Sequence, residues 1–180
     1  MAQPPSHTIP ESVHTSTGTR HNVDKPLRIL FLIDTLEIGG AEKSLALILP
    51  CLTQVEPFLY HLYAGDTLRS RFQASGIRVE TACIEQKYAP MRAIRNVVRF
   101  VRANHIALIH SMLFRSDIAA RIAGRITGIP VINTLVNDSY ASIRFAHLSP
   151  RTRQKMKIIQ AIDKATAPLA FHFVANSAAI

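Results

Sequence analysis

LRILFLIDTLEIGGAEKSLALIL, residues Leu27–Leu49, holds a strand, a glycine turn and a helix in that order. Leu27–Asp34 is nearly all apolar, as expected of a parallel strand covered on both faces. Gly39-Gly40 lets the backbone turn without Cβ clashes and come close to a ligand. Apolar residues then recur at helical spacing from Ala41 to Gln54. The turn therefore delivers a helix N-terminus to the carboxyl edge of a sheet. Free N–H groups and the helix dipole favour an anion at such an edge, which is the geometry for holding a phosphate.

The same alternation continues outward. Strands are predicted over Phe58–Ala64, Ile77–Ile84, Ile106–His110, Val131–Leu135 and Phe171–Ala175, and helices over Thr67–Ala74, Met91–Asn104, Ser116–Thr127 and Pro150–Thr166. Ser116 reads as the cap of its helix, and Gly128 lies just past that helix's end. Strands alternating with helices imply an α/β fold, a Rossmann-like, mostly parallel sheet with helices on both faces. In such sheets ligands bind outside the carboxyl ends of the strands. Those ends carry Asp34–Gly40, Asp66, His110–Arg115 and Thr134–Tyr140. Ahead of the domain at 27–180, residues 1–26 read as a disordered polar tail with too few apolar residues for a core. His7, His14 and His21 recur there every seven residues, but a flexible tail would not preorganise a metal site, so none is expected.

Composition bounds the function. The 180 residues, 48% hydrophobic, suffice for one well-filled domain. Cys51 and Cys83 match no metal or redox spacing and are expected to be free, buried thiols in a reducing compartment. No apolar stretch reaches the roughly 20 residues needed to span a bilayer, and the N-terminus shows no charged region followed by an apolar core, so no secretory signal is expected. These features point to a cytoplasmic protein. The formal charge of +9 suits nucleic acid, anionic lipid or an acidic small molecule. No aromatic RNA-binding motif or zinc-finger spacing is present, so nucleic acid ranks last.

Several residues carry candidate chemistry, each beside a plainer role. Gly39-Gly40 is either a connector or a loop against a phosphate. It lacks the third glycine of a dinucleotide fingerprint and the Lys-Ser/Thr ending of a P-loop. Asp66, where a ribose-binding acid would belong, does not by itself rescue an oxidoreductase. His110, at a strand end, is a structural hydrogen-bonding residue or a group that positions a sugar hydroxyl. Arg115, before a helix, is a solvated cation or a contact for an anionic acceptor or donor phosphate. Arg92, Arg95, Arg99 and Arg102 fall on one face of a helix, either as its solvated side or as a contact with anionic lipid headgroups.

The order of these segments resembles the family 4 glycosyltransferases of GT-B architecture, in their N-terminal, acceptor-side domain. The likeness is carried by the Ile38-Gly39-Gly40-Ala41-Glu42-Lys43 turn, by Leu108-Ile109-His110-Ser111 followed by the Ala-rich 117–128, by Ile129-Pro130-Val131-Ile132-Asn133-Thr134, and by Phe173-Val174-Ala175-Asn176-Ser177. It covers about Leu27 to Ile180. The resemblance implies transfer of a sugar, with retention, from a nucleotide-sugar donor to a glycolipid, polysaccharide or other acceptor. It implies no metal or other cofactor. Many members carry a His where this chain has Val136, so no catalytic His is assigned. Asn137, Asp138, Ser139 and Tyr140 follow and can hydrogen-bond sugar hydroxyls, with Asp138 the preferred polar residue of the site. The family pattern also implies a second, donor-binding domain after Ile180 that supplies most of the nucleotide contacts, in the same chain or from another. The alternative is a non-catalytic docking module of the same fold, peripheral at the inner face of a membrane or bound to a partner.

Overall fold

A computed structural model describes residues 26–85, 89–136 and 149–176. Six strands, β1 (Leu27–Ile33), β2 (Val55–Tyr63), β3 (Arg78–Ile84), β4 (Leu108–Met112), β5 (Val131–Leu135) and β6 (His172–Ala175), form one sheet in the order β3-β2-β1-β4-β5-β6. All five pairings are parallel. Among the described residues, five helices connect them: α1 (Gly40–Ile48), α2 (Arg69–Ala74), α3 (Pro90–Ala103), α4 (Phe114–Thr127) and α5 (Pro150–Thr166). This is a Rossmann-like α/β sheet, as the alternation of segments predicted.

The central strand shows why the apolar run was needed. Side chains alternate across a strand, and Leu30 and Leu32 enter one core while Phe31 and Ile33 enter the other. The first core packs β1 and β2 under α3 and α4 through Phe58, Val97 and Ala120. The second packs them under α1 and α2 through Leu45 and Phe72. Both faces are thus filled near the middle of the sheet. At the far edge the burial runs out: β6 is exposed along its length, with Phe173 and Val174 partly uncovered.

Four expectations need correction. The first helix does not run to Gln54. It ends at Ile48 and tightens into a 3-10 turn over Leu49–Cys51, because Pro50 has no N–H and its ring cannot continue the helix. The α4 helix begins at Phe114, and Ser116 is not its cap; Leu113 holds that position with φ 77° and ψ 144°. Its C-terminus is as expected, with Gly128 in the left-handed conformation at φ 75° and donating its N–H to Gly124 O. Both thiols are free, but Cys51 and Cys83 are exposed rather than buried. Cys83 lies on β3, an edge strand next to β2 alone, so an apolar neighbourhood in sequence does not become a covered one. The fourth is β4, which starts at Leu108 and runs to Met112, leaving His110 inside the strand rather than at its end. The expected tail lies outside the described residues up to position 25.

Candidate functional site

The strand order changes direction between β1 and β4. Loops leaving adjacent strands to opposite sides open a crevice at the carboxyl edge there. Two segments singled out in the sequence, Asp34–Gly40 and the stretch ending at Arg115, flank this switch point.

Asp34, directly after β1, joins them. Its Oδ1 accepts from the Ser116 N–H at 2.8 Å and from the Ser116 hydroxyl at 2.6 Å, and its Oδ2 accepts from Arg115 Nε at 2.8 Å. A residue 82 positions away in sequence therefore supplies the carboxylate that caps α4. It satisfies an N–H that the helix itself cannot pair. The Arg115 guanidinium also stacks over the Tyr63 ring at 4.0 Å from its centroid, and the Tyr63 N–H donates to Asp34 O at 2.9 Å. Burial raises the Tyr63 phenol pKa, with Arg115 working against the rise. Three strand ends are thus clamped around one ion pair. Leu113 sits just before this clamp in a backbone conformation that L-residues rarely adopt. Such strain persists where surrounding contacts over-determine it.

The β1–α1 loop is held just as firmly. Leu36 donates its N–H to Gly65 O at 2.8 Å and accepts from Leu68 N at 2.9 Å, while the Thr67 hydroxyl donates to Glu37 at 2.6 Å. Gly39 is extended, with φ −144°, so its conformation does not require glycine. A Cβ there would lie 2.3 Å from Glu42 Oε2, so a larger residue would displace the Glu42 carboxyl. Gly40 differs, since a Cβ on it would meet nothing within 4 Å. The open side of the turn is therefore over Gly40. Glu42 is buried, and its carboxyl accepts a hydrogen bond from its own backbone N–H. Burial raises its pKa most, and the neighbouring charges of Asp34 and Glu37 raise it further.

The remaining predicted residues distribute as follows. His110 contacts Thr134 Oγ1 at 2.6 Å and the Phe31 ring at 5.2 Å between centroids. Burial lowers its pKa, which keeps the ring neutral near pH 7. Asp66 lies past the end of β2 and is bound by Arg69 at 3.1 Å, its side chain 58% exposed. Arg92, Arg95 and Arg99 line one groove of about 680 Å³ with Asn96 of α3 and Ala82 of β3. Arg102 is exposed in the last turn of the same helix, outside that groove. Asn137, Asp138, Ser139 and Tyr140 lie outside the described residues.

A second polar cluster went unread in the sequence. Ser111 and Asn133 donate to Asp117 Oδ1 at 2.7 and 3.1 Å, and Arg121 donates to Asn133 Oδ1 at 2.7 Å. Arg121, 2% exposed, also bonds Asp163 and Thr166 of α5. Burial pushes the Asp117 pKa up to about 7, against the pull of Ser111 and Arg121. Every buried polar side chain among the described residues has a partner. Among them no group of His, Cys, Asp and Glu is placed to hold a metal ion, and no helix is long and apolar enough to cross a membrane.

No protein-family model and no curated protein matches the sequence. Solved structures do share the fold. HepE of Anabaena, in complex with UDP, superposes with a TM-score of 0.62 at 21% identity, over 84% of this chain and 38% of that one. A putative UDP-N-acetylglucosamine 2-epimerase from Listeria monocytogenes gives 0.60 at 10% identity, over 83% and 39%. MurG of Acinetobacter baumannii gives 0.55 at 10% identity, over 83% and 41%. The chain therefore spans about two fifths of the length of the structures it resembles, and its fold is that of one Rossmann-like half of a GT-B protein.

Proposed function

We propose that this chain is the acceptor-side, N-terminal half of a glycosyltransferase that moves a sugar from a nucleotide-sugar to a glycolipid, polysaccharide or other hydroxyl-bearing acceptor. What supports this is the reversal of strand order between β1 and β4, where the segment after β1 carries both the Gly39-Gly40 turn and Asp34, and Asp34 is paired with Arg115 from the end of β4. The UDP in the HepE complex, on a fold of the same kind, supports a nucleotide-sugar as donor. On this proposal the donor phosphates approach over Gly40, where the backbone is open. Sugar hydroxyls are met by polar side chains of this half, with Asn137, Asp138, Ser139, Tyr140, His110 and Arg115 as candidates and Asp138 preferred for catalysis. The family 4 assignment, retention of configuration, and a donor-binding domain supplied beyond this stretch or by another chain belong to the same proposal.

A second reading, a docking module without catalysis, is favoured by one observation. Arg92, Arg95 and Arg99 line one groove and form no ion pair among the described residues, so their charge is available to an anionic membrane surface or partner. In either case the chain would work in the cytoplasm, at or near the inner face of the membrane.

Gly40→Val separates the two. The native polypeptide, purified from its own cells and sized by intact mass, is assayed for turnover of radiolabelled UDP-sugars. Transfer by the parent and its loss in a Gly40→Val protein of unchanged melting temperature is the expected result. Equal transfer by both makes the turn a connector, and no turnover by the parent with any donor favours the docking module.

A further inference from the structure

Behind the Asp34–Arg115 pair lies a cavity of about 400 Å³. Its walls are apolar: Ile94 from α3, Phe114 and Ile118 from α4, and Ile159 and Ile162 from α5. That volume is in the range of small-molecule sites, which are apolar with a few placed polar groups. The Asp34 and Arg115 charges at its edge already neutralise each other, so the cavity itself offers no net charge to an occupant.

The helices around it do. Besides Ile94, α3 carries Arg92, Arg95, Arg99 and Arg102 and no acid. Besides Ile159 and Ile162, α5 carries Arg151, Arg153, Lys155, Lys157 and Lys164 against Asp163 alone. Nine of the 21 basic residues but one of the 12 acids therefore sit on the two helices that flank this cavity. The rest of the chain is close to neutral. The placement along α5 is specific as well. At 3.6 residues per turn, Arg151, Lys155, Ile159 and Ile162 share one face. Over about 16 Å of helix that face passes from two cations to the two isoleucines lining the cavity. An apolar slot continued by a cationic strip matches a molecule with an apolar chain and an anionic head.

We propose that this cavity binds the alkyl chain of a lipid phosphate, with the head group against Arg151 and Lys155 at the N-terminal end of α5. This goes beyond sugar transfer and stands on binding alone.

Dodecyl phosphate, kept below its micelle-forming concentration, is titrated into the full chain by calorimetry. One molecule binds per chain, and inorganic phosphate at a hundredfold excess does not displace it. Ile162→Trp, at a half-exposed position, fills the slot and weakens binding at least tenfold with the melting temperature unchanged. Ile118→Phe fills it from α4 with the same effect, and serves if the first variant fails to fold. Lys155→Glu weakens binding several-fold at low salt and by less at high salt. Unchanged affinity in a folded slot-filling variant overturns the proposal, as does displacement by inorganic phosphate. So does affinity for dodecanol equal to that for the phosphate, with no response to Lys155→Glu. Absence of sugar turnover alters none of these readouts, so the two proposals fail separately.

Discussion

Removing the Asp34 carboxylate tests whether one side chain clamps the switch point. In Asp34→Ala three donors lose their acceptor, and they do not lose equally. The Ser116 hydroxyl retains Met112 O at 2.8 Å, so its loss is small. The Ser116 N–H is fully buried in the first turn of α4, and an orphaned buried donor costs about 1–3 kcal/mol. The Arg115 side chain is 25% exposed and regains some water, which holds its share of a part-buried ion pair to about 1–2 kcal/mol. The total is about 3 kcal/mol, or roughly 6–12 °C in melting temperature for a chain of this size. Asp34→Asn keeps an oxygen for the Ser116 N–H and loses the charge, so it should cost about 1 kcal/mol. Urea titrations of the parent and both variants read the difference. A loss below about 1 kcal/mol in Asp34→Ala, or equal losses in the two variants, would refute the clamp.

Three further outcomes follow from the buried groups. Asp117 has a native pKa raised to about 7, so the folded state holds this proton while the unfolded carboxyl loses it near pH ~4. Its contribution to stability is present at low pH and is lost as pH rises through 7. Asp117→Asn should flatten that slope and gain about 1–3 kcal/mol at pH 8, read by urea midpoints at pH 5 and 8; a gain that is larger at pH 5 has the wrong sign. If donor phosphate lies over Gly40, Glu42→Gln should tighten UDP-sugar binding several-fold by removing a nearby negative charge, and calorimetry showing weaker binding would place the phosphate elsewhere. Arg121→Met removes the buried guanidinium that donates to Asp163 and to Asn133 Oδ1 and should cost about 3–5 kcal/mol. Amide exchange in residues 150–166 should accelerate before that of β1, because Arg121 bridges α4 to α5.

What could be read from the sequence was the part of the fold set by near neighbours. A strand buried on both faces declares itself as an apolar run, and β1 matches its expected span to within one residue. The stop at Pro50 was also present in the sequence, but Leu49 and Leu52 continue the helical period across it and conceal it. Ser116 illustrates the limit of local signals. It has the residue type and position of a cap, yet its N–H is satisfied by Asp34 from another strand. No window around Ser116 contains that carboxylate. The exposure of Cys83 likewise depends on β3 being an edge, which strand order decides and periodicity does not. Of the candidate site, the strand ends that would carry it followed from the fold class. The pairing of Arg115 with Asp34 did not, nor did the position of Glu42 over Gly39, because both depend on how loops pack across the sheet.

That packing bears on the division of labour proposed for the cleft. The two helix N-termini that face it are already matched by the chain's own carboxyl groups, Asp34 at α4 and Glu42 at α1. Glu37 adds a third acid beside them. Carboxylates accept hydrogen bonds from hydroxyl groups and repel phosphates, so this edge is better suited to a polyhydroxyl acceptor than to a free anion. A phosphate over Gly40 is tolerated best when Glu42 carries its proton, and the raised pKa of that buried group makes the protonated form easier to reach. The stronger cation contacts that a nucleotide diphosphate needs are not on this lip, where Arg115 is committed to Asp34. On the proposed function they must come from the opposing half of the cleft, which is why Glu42→Gln should change donor affinity by several-fold and not by orders of magnitude.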